Sequence, residues 1–187
     1  DPRRMTEFPE RLVTHLNAMI EADLTPRKIV NRDSIRNAMI VALAVGGSTN
    51  VVLHAPEIAR AAGFGDFYKD IMSAAEFNHL SVLVDARPFG NYSMVDIDAK
   101  GGVQVIVKEL LDAGLLNGDC MTCTGETLAE QVARLNPPVP DGTVIYPVEK
   151  PYKPTGGLRL LGGNLSPEFS AVLKLAGVEG GLENNVF

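Results

Sequence analysis

The sequence predicts an α/β fold: a helix-rich α/β part over residues 1–135, then a linker and the opening strands of a β-rich unit over 136–187. Three observations predict it. Apolar residues recur at helical spacing through most of the first 135 positions. An all-but-apolar run, "LSVLVD" (80–85), interrupts them. At "NPPVPDG" (136–142) the composition changes to short Val-, Ile- and Leu-rich pieces set between glycines and prolines.

Taken in order, residues 6–23 place Phe8, Leu12, Leu16, Met19 and Ile20 on one helical stripe, with Thr6 as N-cap. "TPRKIV" reads as a short helix capped by Thr25, with Pro26 at its first position. "DSIRNAMIVALAV" follows, capped by Asp33 or Ser34, and is apolar almost all round after Arg36, the mark of a helix buried on several sides. Gly46-Gly47 ends it. Ser48 or Thr49 caps the next helix, which runs toward Gly63 and is expected to kink or restart at Pro56.

Residues 66–76 suggest one short helix, and 80–85 a buried strand closed by the "RPFGN" turn. "GVQVIVKELLDAG" is a helix with Gly114 at its C-terminal end, "DCMTCTG" a strand and turn, and "ETLAEQVARL" a helix. Beyond the linker, "TVIYPVEKP", "GLRLLGG" and "AVLKLAG" read as short strands, expected to find no partners within the chain and so to be weakly protected or paired with a second copy. Asp1 in place of a methionine, and an end at "LENNVF" straight after a strand-like piece, read as a segment of a longer protein.

The bulk composition narrows the function classes. The chain has 187 residues, 45% hydrophobic and 21% charged, with a formal net charge of −6. Acidic and basic residues are interspersed, with no basic patch or basic amphipathic helix, which argues against nucleic acid or an anionic membrane as partner. The longest apolar run, near 38–45, is too short to span a bilayer. Two cysteines make no disulfide framework, so a cytoplasmic setting is expected.

The candidate site is "GGSTNVVLH" (46–54). A helix start offers unpaired backbone N–H groups and a positive dipole end, and glycines before it let a ligand approach the backbone. Gly46, Gly47, Ser48, Thr49 and Asn50 would suit a carboxylate or phosphate, and His54 lies nearly on the same helical face. A glycine turn between two buried helices, with a Ser/Thr cap and a packed histidine, accounts for the same residues. Cys120 and Cys123 have the C-x-x-C spacing of metal and redox motifs, but one pair cannot build a four-ligand zinc site, and in a strand the two would face opposite ways. Asp85, Asp96, Asp98 and Asp119 are too scattered to form a catalytic pair. "GGNLSP" (162–167), followed by Lys174, reads as a turn between strands.

Five segments, in order, resemble the dihydroxy-acid dehydratase/6-phosphogluconate dehydratase family. They are "AVGGSTNVVLH" (44–54), "RPFGNYSMVDIDAKGGVQVIVKELLDAGLLNGD" (87–119), "TGETLAE" (124–130), "GGLRLLGGNLSP" (156–167) and "AVLKLAG" (171–177). "YSMVDI" and "KLAG" lean toward the dihydroxy-acid branch. The resemblance implies a hydro-lyase that converts a 2,3-dihydroxy carboxylic acid, a small-molecule substrate, into a 2-keto acid. It implies an iron–sulfur cluster acting on the departing hydroxyl, Mg²⁺ holding the substrate, a serine base, and a homo-oligomer. It also implies that residues 1–135 belong to the cluster-bearing N-terminal domain and 136–187 to the start of the swivelling C-terminal domain. The family's cluster cysteines, metal ligands and catalytic serine fall outside this segment, so no cluster, metal or catalytic residue is expected within it. The "GGNLSPEFSAVLK" stretch departs from the family pattern at Phe169 and Ser170. Sugar-acid dehydration, or a non-catalytic anion-binding module, are the alternatives at this stage.

Overall fold

The computed structural model describes residues 2–87 and 90–174, and it is helix-rich with one small antiparallel sheet, as the sequence predicts. Helix α1 spans Pro2–Glu21, α2 Pro26–Ile29, α3 Arg32–Ala44, α4 Thr49–Ala61, α5 Phe67–Asp70 and α6 Ala74–His79. Then come α7 (Met94–Ala99), α8 (Val103–Asp112) and α9 (Leu128–Leu135), and strands β1 (Leu158–Gly163) and β2 (Ser166–Lys174). Pro88 and Phe89 of the "RPFGN" turn, and residues 175–177 of "AVLKLAG", lie outside the described residues.

The core is organised on α3. Ile35, Met39, Ile40, Leu43 and Ala44 are buried there and share one apolar cluster with Ala59 of α4, Phe67, Phe77 and Val105, Ile106 and Leu110 of α8. The helix therefore packs on several sides, as its near-continuous apolar sequence requires. Its cap differs from expectation: Asn31, not Asp33 or Ser34, is the N-cap. The Asn31 carboxamide oxygen accepts from the Ser34 N–H at 2.9 Å while the Ser34 hydroxyl accepts from the Asn31 N–H at 2.9 Å, a reciprocal capping box with Ser34 three residues inside.

Three further expectations are corrected. Helix α1 begins at Pro2 and contains Thr6, so Thr6 is not its cap. Helix α4 does not restart at Pro56 but runs through it as one helix, with Val51, Val52, Ala55 and Ala59 packed on the core. Residues 66–76 hold two short helices rather than one, because Asp66 and Ser73 each cap a new start, accepting from Tyr68 N and Glu76 N.

The tail also departs from expectation. Residues 80–85 are buried but make isolated antiparallel bridges rather than a ladder: Val82 pairs with Lys153 and Val84 with Ile145. The Val82 N–H donates to Lys153 O at 2.9 Å, and Asp85 N–H to Val144 O at 3.1 Å. Val144, Ile145, Leu158 and Leu160 thereby join the same core as the helices. Partners for the post-linker segment thus exist within the chain, because burying its Val, Ile and Leu side chains on the run at 80–85 and on α6 satisfies both apolar surface and backbone groups.

Strand β1 pairs with β2 as an antiparallel hairpin, Leu158 opposite Lys174 and Leu160 opposite Val172, with an irregularity between Leu161 and Gly163. Asn78 of α6 supplies what a third strand would. Its Oδ1 accepts from Leu160 N at 2.8 Å and its Nδ2 donates to Leu160 O at 2.9 Å.

The apolar face of α1 has a different fate. Phe8, Leu12, Val13, Leu16 and Ile20 are all more than half exposed.

Candidate functional site

Helix α3 stops because Gly46 and Gly47 take φ of 94° and 42°, the left-handed region that glycine enters without strain. A side chain at Gly47 would also meet the Ala42 carbonyl oxygen at 3.2 Å and Leu158 Cδ1 at 3.4 Å. Ser48 then caps α4, its hydroxyl accepting from the Asn50 N–H at 3.3 Å. Ser48, Thr49 and Asn50 are exposed, as is His54 one turn on; Gly46 is buried.

The structure divides these residues between two hollows. Gly46, Gly47 and Ser48 line a cavity of about 480 Å³, whose apolar wall includes Val51, Met94, Ile97 and Ile106. Asn50 and His54 instead line an apolar groove of about 530 Å³ between α3 and α4, beside Met39 and Ile58. Thr49 lines neither. The single face imagined for residues 46–54 is therefore two, with Val51 shared between them.

Two cations reach the first cavity, Arg87 and Lys174, 87 positions apart in sequence. Lys174 is there because the hairpin register sets it opposite Leu158, and Leu158 packs beside Gly47. Arg87 is presented by a tight loop built on Asp85. That carboxylate is buried (4% exposed), and it accepts from the Asn91 N–H at 2.8 Å and from Asn91 Nδ2 at 2.9 Å. Arg87 N donates to Tyr92 O at 2.8 Å, and Arg87 Nε to Asn91 O at 3.2 Å. Gly90 closes the loop; a Cβ there would come within 2.1 Å of Asp85 Oδ1, so no other residue fits. Burial, and then a hydrogen bond to Asp85, push the Tyr152 phenol above its ordinary range.

The sequence offered a signal for Arg87, a cation in the turn directly after a buried run. It offered none for Lys174, whose place depends on hairpin register.

Residues 119–125 form no strand, only the isolated bridge Met121–Thr127, with Cys123 in the turn that follows; Cys120 is buried and Cys123 exposed, both free. Burial, then the negative charges of Asp33 and Asp119, push the Cys120 thiol up, and Asn37 Nδ2 donates to its sulfur at 3.4 Å. Cys120 thus packs against a carboxamide inside the core. Among the described residues, no three His, Cys, Asp or Glu side chains are grouped to hold a metal ion, and no helix is long and apolar enough to cross a membrane. Asp96 is occupied as half of a capping box on α7, its Oδ2 accepting from the Ser93 N–H and hydroxyl at 2.7 Å each.

The family model described as dihydroxy-acid/6-phosphogluconate dehydratase, N-terminal, matches residues 2–131. A dihydroxy-acid dehydratase of Leifsonia xyli is 45% identical over 181 residues, 95% of this chain and 31% of the relative. One of Acidothermus cellulolyticus is 46% identical over 165 residues, 86% of this chain and 28% of the relative. One of Mycobacterium leprae is 41% identical over 181 residues, 95% of this chain and 31% of the relative. The chain thus spans about a third of the length of the curated relatives it matches.

Proposed function

Since the chain belongs to the dihydroxy-acid/6-phosphogluconate dehydratase family, we propose that it serves, within the whole protein, a hydro-lyase that turns a 2,3-dihydroxy carboxylic acid into a 2-keto acid. The observation that carries the dihydroxy-acid branch is identity that runs past the family model's limit at residue 131. Relatives named dihydroxy-acid dehydratase remain 41–45% identical over 181 residues, including most of the segment that follows.

The family chemistry calls for an iron–sulfur cluster and Mg²⁺, which polarise a poor leaving group and the acid being deprotonated. The described residues do not fit either group. Cys120 is buried with a raised thiol, Cys123 faces away, and no carboxylate cluster accompanies them. Both groups are therefore assigned to the rest of the protein. What this chain contributes is shape and charge: a wall made by Gly46, Gly47 and Ser48, and cations at Arg87 and Lys174 that attract an acid.

A homo-oligomer and a reducing, cytoplasmic setting belong to the same proposal. The exposed apolar face of α1 supports the first, and the two free cysteines support the second.

Assay of the whole protein, prepared anaerobically, tests the reading. Expected is 2-keto acid formation from 2,3-dihydroxy-3-methylbutanoate, at about a hundredfold or more the kcat/KM seen with 6-phosphogluconate. The reverse preference would move it to the sugar-acid branch, and turnover of neither would remove the dehydratase reading.

A further inference from the structure

We propose that the cavity between α3, the end of α8 and the segment after the linker binds a small uncharged alcohol of about six carbons, and that the bound molecule holds that segment to the helices. This site lies apart from the glycine junction, and its ligand is not the acid of the family reaction.

A cavity of about 230 Å³ lies between α3, the run at 80–83, the end of α8 and Val148. Its deep wall belongs to the core: Ile40, Ala44, Leu83 and Leu110 are each exposed by 3% or less. Leu115 and Val148, only partly buried, form the outer wall. Well-packed interiors leave few gaps larger than a water molecule, and an apolar gap of about 150 Å³ stays dry and takes up benzene. A guest of that kind restores contacts that the lining otherwise lacks.

Among the described residues that line the cavity there is no Lys, Arg, Asp or Glu, so a charged ligand would lose its hydration there without a counter-charge. The polar side chains present are His79 and Ser81, and both have already committed a proton. The Ser81 hydroxyl donates to Pro154 O at 3.1 Å. His79 Nδ1 lies 2.6 Å from Ala75 O; a carbonyl only accepts, so Nδ1 carries the proton and the neutral ring keeps Nε2 as an acceptor. Both groups can accept from a ligand, and neither has a proton left to donate. A hydroxyl on a hydrocarbon body meets both demands, whereas a ketone of the same size brings no proton.

The same space is ringed by the bonds that dock the post-linker segment. Leu83 N–H donates to Ala44 O at 2.7 Å, and Tyr146 N–H to Leu83 O at 2.8 Å. Val148 N–H donates to Glu109 Oε1 of α8 at 2.8 Å. Val148 therefore contributes its part of the wall only while the segment is docked. A ligand that needs the complete wall binds the docked form and stabilises it by mass action.

The test is methyl NMR titration of the 187-residue chain with cyclohexanol, with cyclohexanone and cyclohexanecarboxylate as comparison arms. Expected are saturable shifts at the Ile40, Leu83, Leu110 and Val148 methyls, half-complete below about 10 mM. Cyclohexanone should bind about threefold or more weakly, and the carboxylate about tenfold or more weakly. At about ten times the half-saturating concentration, amide exchange at Tyr146 and Val148 should slow by about tenfold. Ala44→Val and Leu115→Phe, which fill the space from two walls, should each weaken cyclohexanol by about fivefold or more, with a parental or higher urea midpoint showing that the fold is kept. No saturation up to about 50 mM, or parental binding by both filled variants, would overturn the site. Cyclohexanone binding as tightly would overturn the alcohol, and the carboxylate binding as tightly would overturn the uncharged class. Unaltered exchange would overturn the hold on the segment. Binding by this chain that vanishes in the whole protein would show that the rest of the protein fills the space, and would overturn the ligand as its occupant.

Discussion

Asp141 shows how much one carboxylate can organise. Its Oδ1 accepts from the N–H groups of Thr143 (3.2 Å), Val144 (3.0 Å) and Ile145 (2.9 Å), and its Oδ2 from the Thr143 hydroxyl at 2.6 Å. Lys100 Nζ lies 3.1 Å from the same oxygen. Partial burial on its own would raise this carboxyl. The Thr143 hydroxyl and the backbone donors of Ile145, Val144 and Thr143 outweigh burial and hold it far below the usual carboxylate range. The carboxylate thereby turns the chain from the linker into the buried pair Val144–Ile145. Because the folded pKa is depressed, its stabilisation is complete above the unfolded value of about 4 and is lost as pH falls from there toward the folded value. Asp141→Asn is expected to cost ~1–3 kcal/mol near neutral pH, with the gap to the parent protein closing below about pH 4. Urea unfolding at several pH values checks this, and a gap independent of pH would mean that the charge is not what matters.

At the scale of elements, the hairpin depends on α6 for what a sheet would normally supply. A two-stranded hairpin is marginal alone in water, and β1 presents the N–H and C=O of Leu160 on the side away from β2. Asn78 takes both, and Leu158 and Leu160 are buried at 0% and 2% exposure behind it. Asn78→Ala would leave a buried donor and acceptor unpaired, at a cost of ~1–3 kcal/mol for the group. Expected is amide exchange at Leu160 faster by about tenfold or more, with smaller changes at Val105 and Ile106 of α8. Unchanged protection at Leu160 would show that β2 alone holds the strand.

Over the whole molecule, apolar surface is treated in two opposite ways. Phe77 is fully buried in the common core, whereas Leu16 on α1 is 54% exposed. Phe77→Ala is expected to destabilise by ~3–5 kcal/mol through lost burial and a residual cavity. Leu16→Ala should stay within about 0.5 kcal/mol, as an exposed site does. Chemical denaturation of both variants decides this. A large loss at Leu16 would mean that α1 is covered in solution, by a second copy of the chain or by the rest of the protein.

Most of the helices and the glycine stop after α3 were legible in the sequence, because a 3.6-residue period, capping groups and positive-φ glycines act over a few neighbouring positions; the short α7 and the division of the stretch after Asp66 into α5 and α6 were not. Gly46 and Gly47 announce a turn wherever they stand, and Asn31 went unread as the cap only because Asp33 and Ser34 nearby offer similar chemistry. Family membership was legible too, since five ordered motifs carry it without reference to shape. What only the tertiary structure decided is which residues meet. Residues 144–160 closed onto 80–85 and onto α6 because long-range burial, not local pattern, chooses a strand's partner. The "GGSTN" motif parted into two hollows because α4 turns Ser48 and Asn50 to different sides. Arg87 and Lys174 came to one cavity through a buried carboxylate and a strand register, and neither device leaves a periodic trace in sequence.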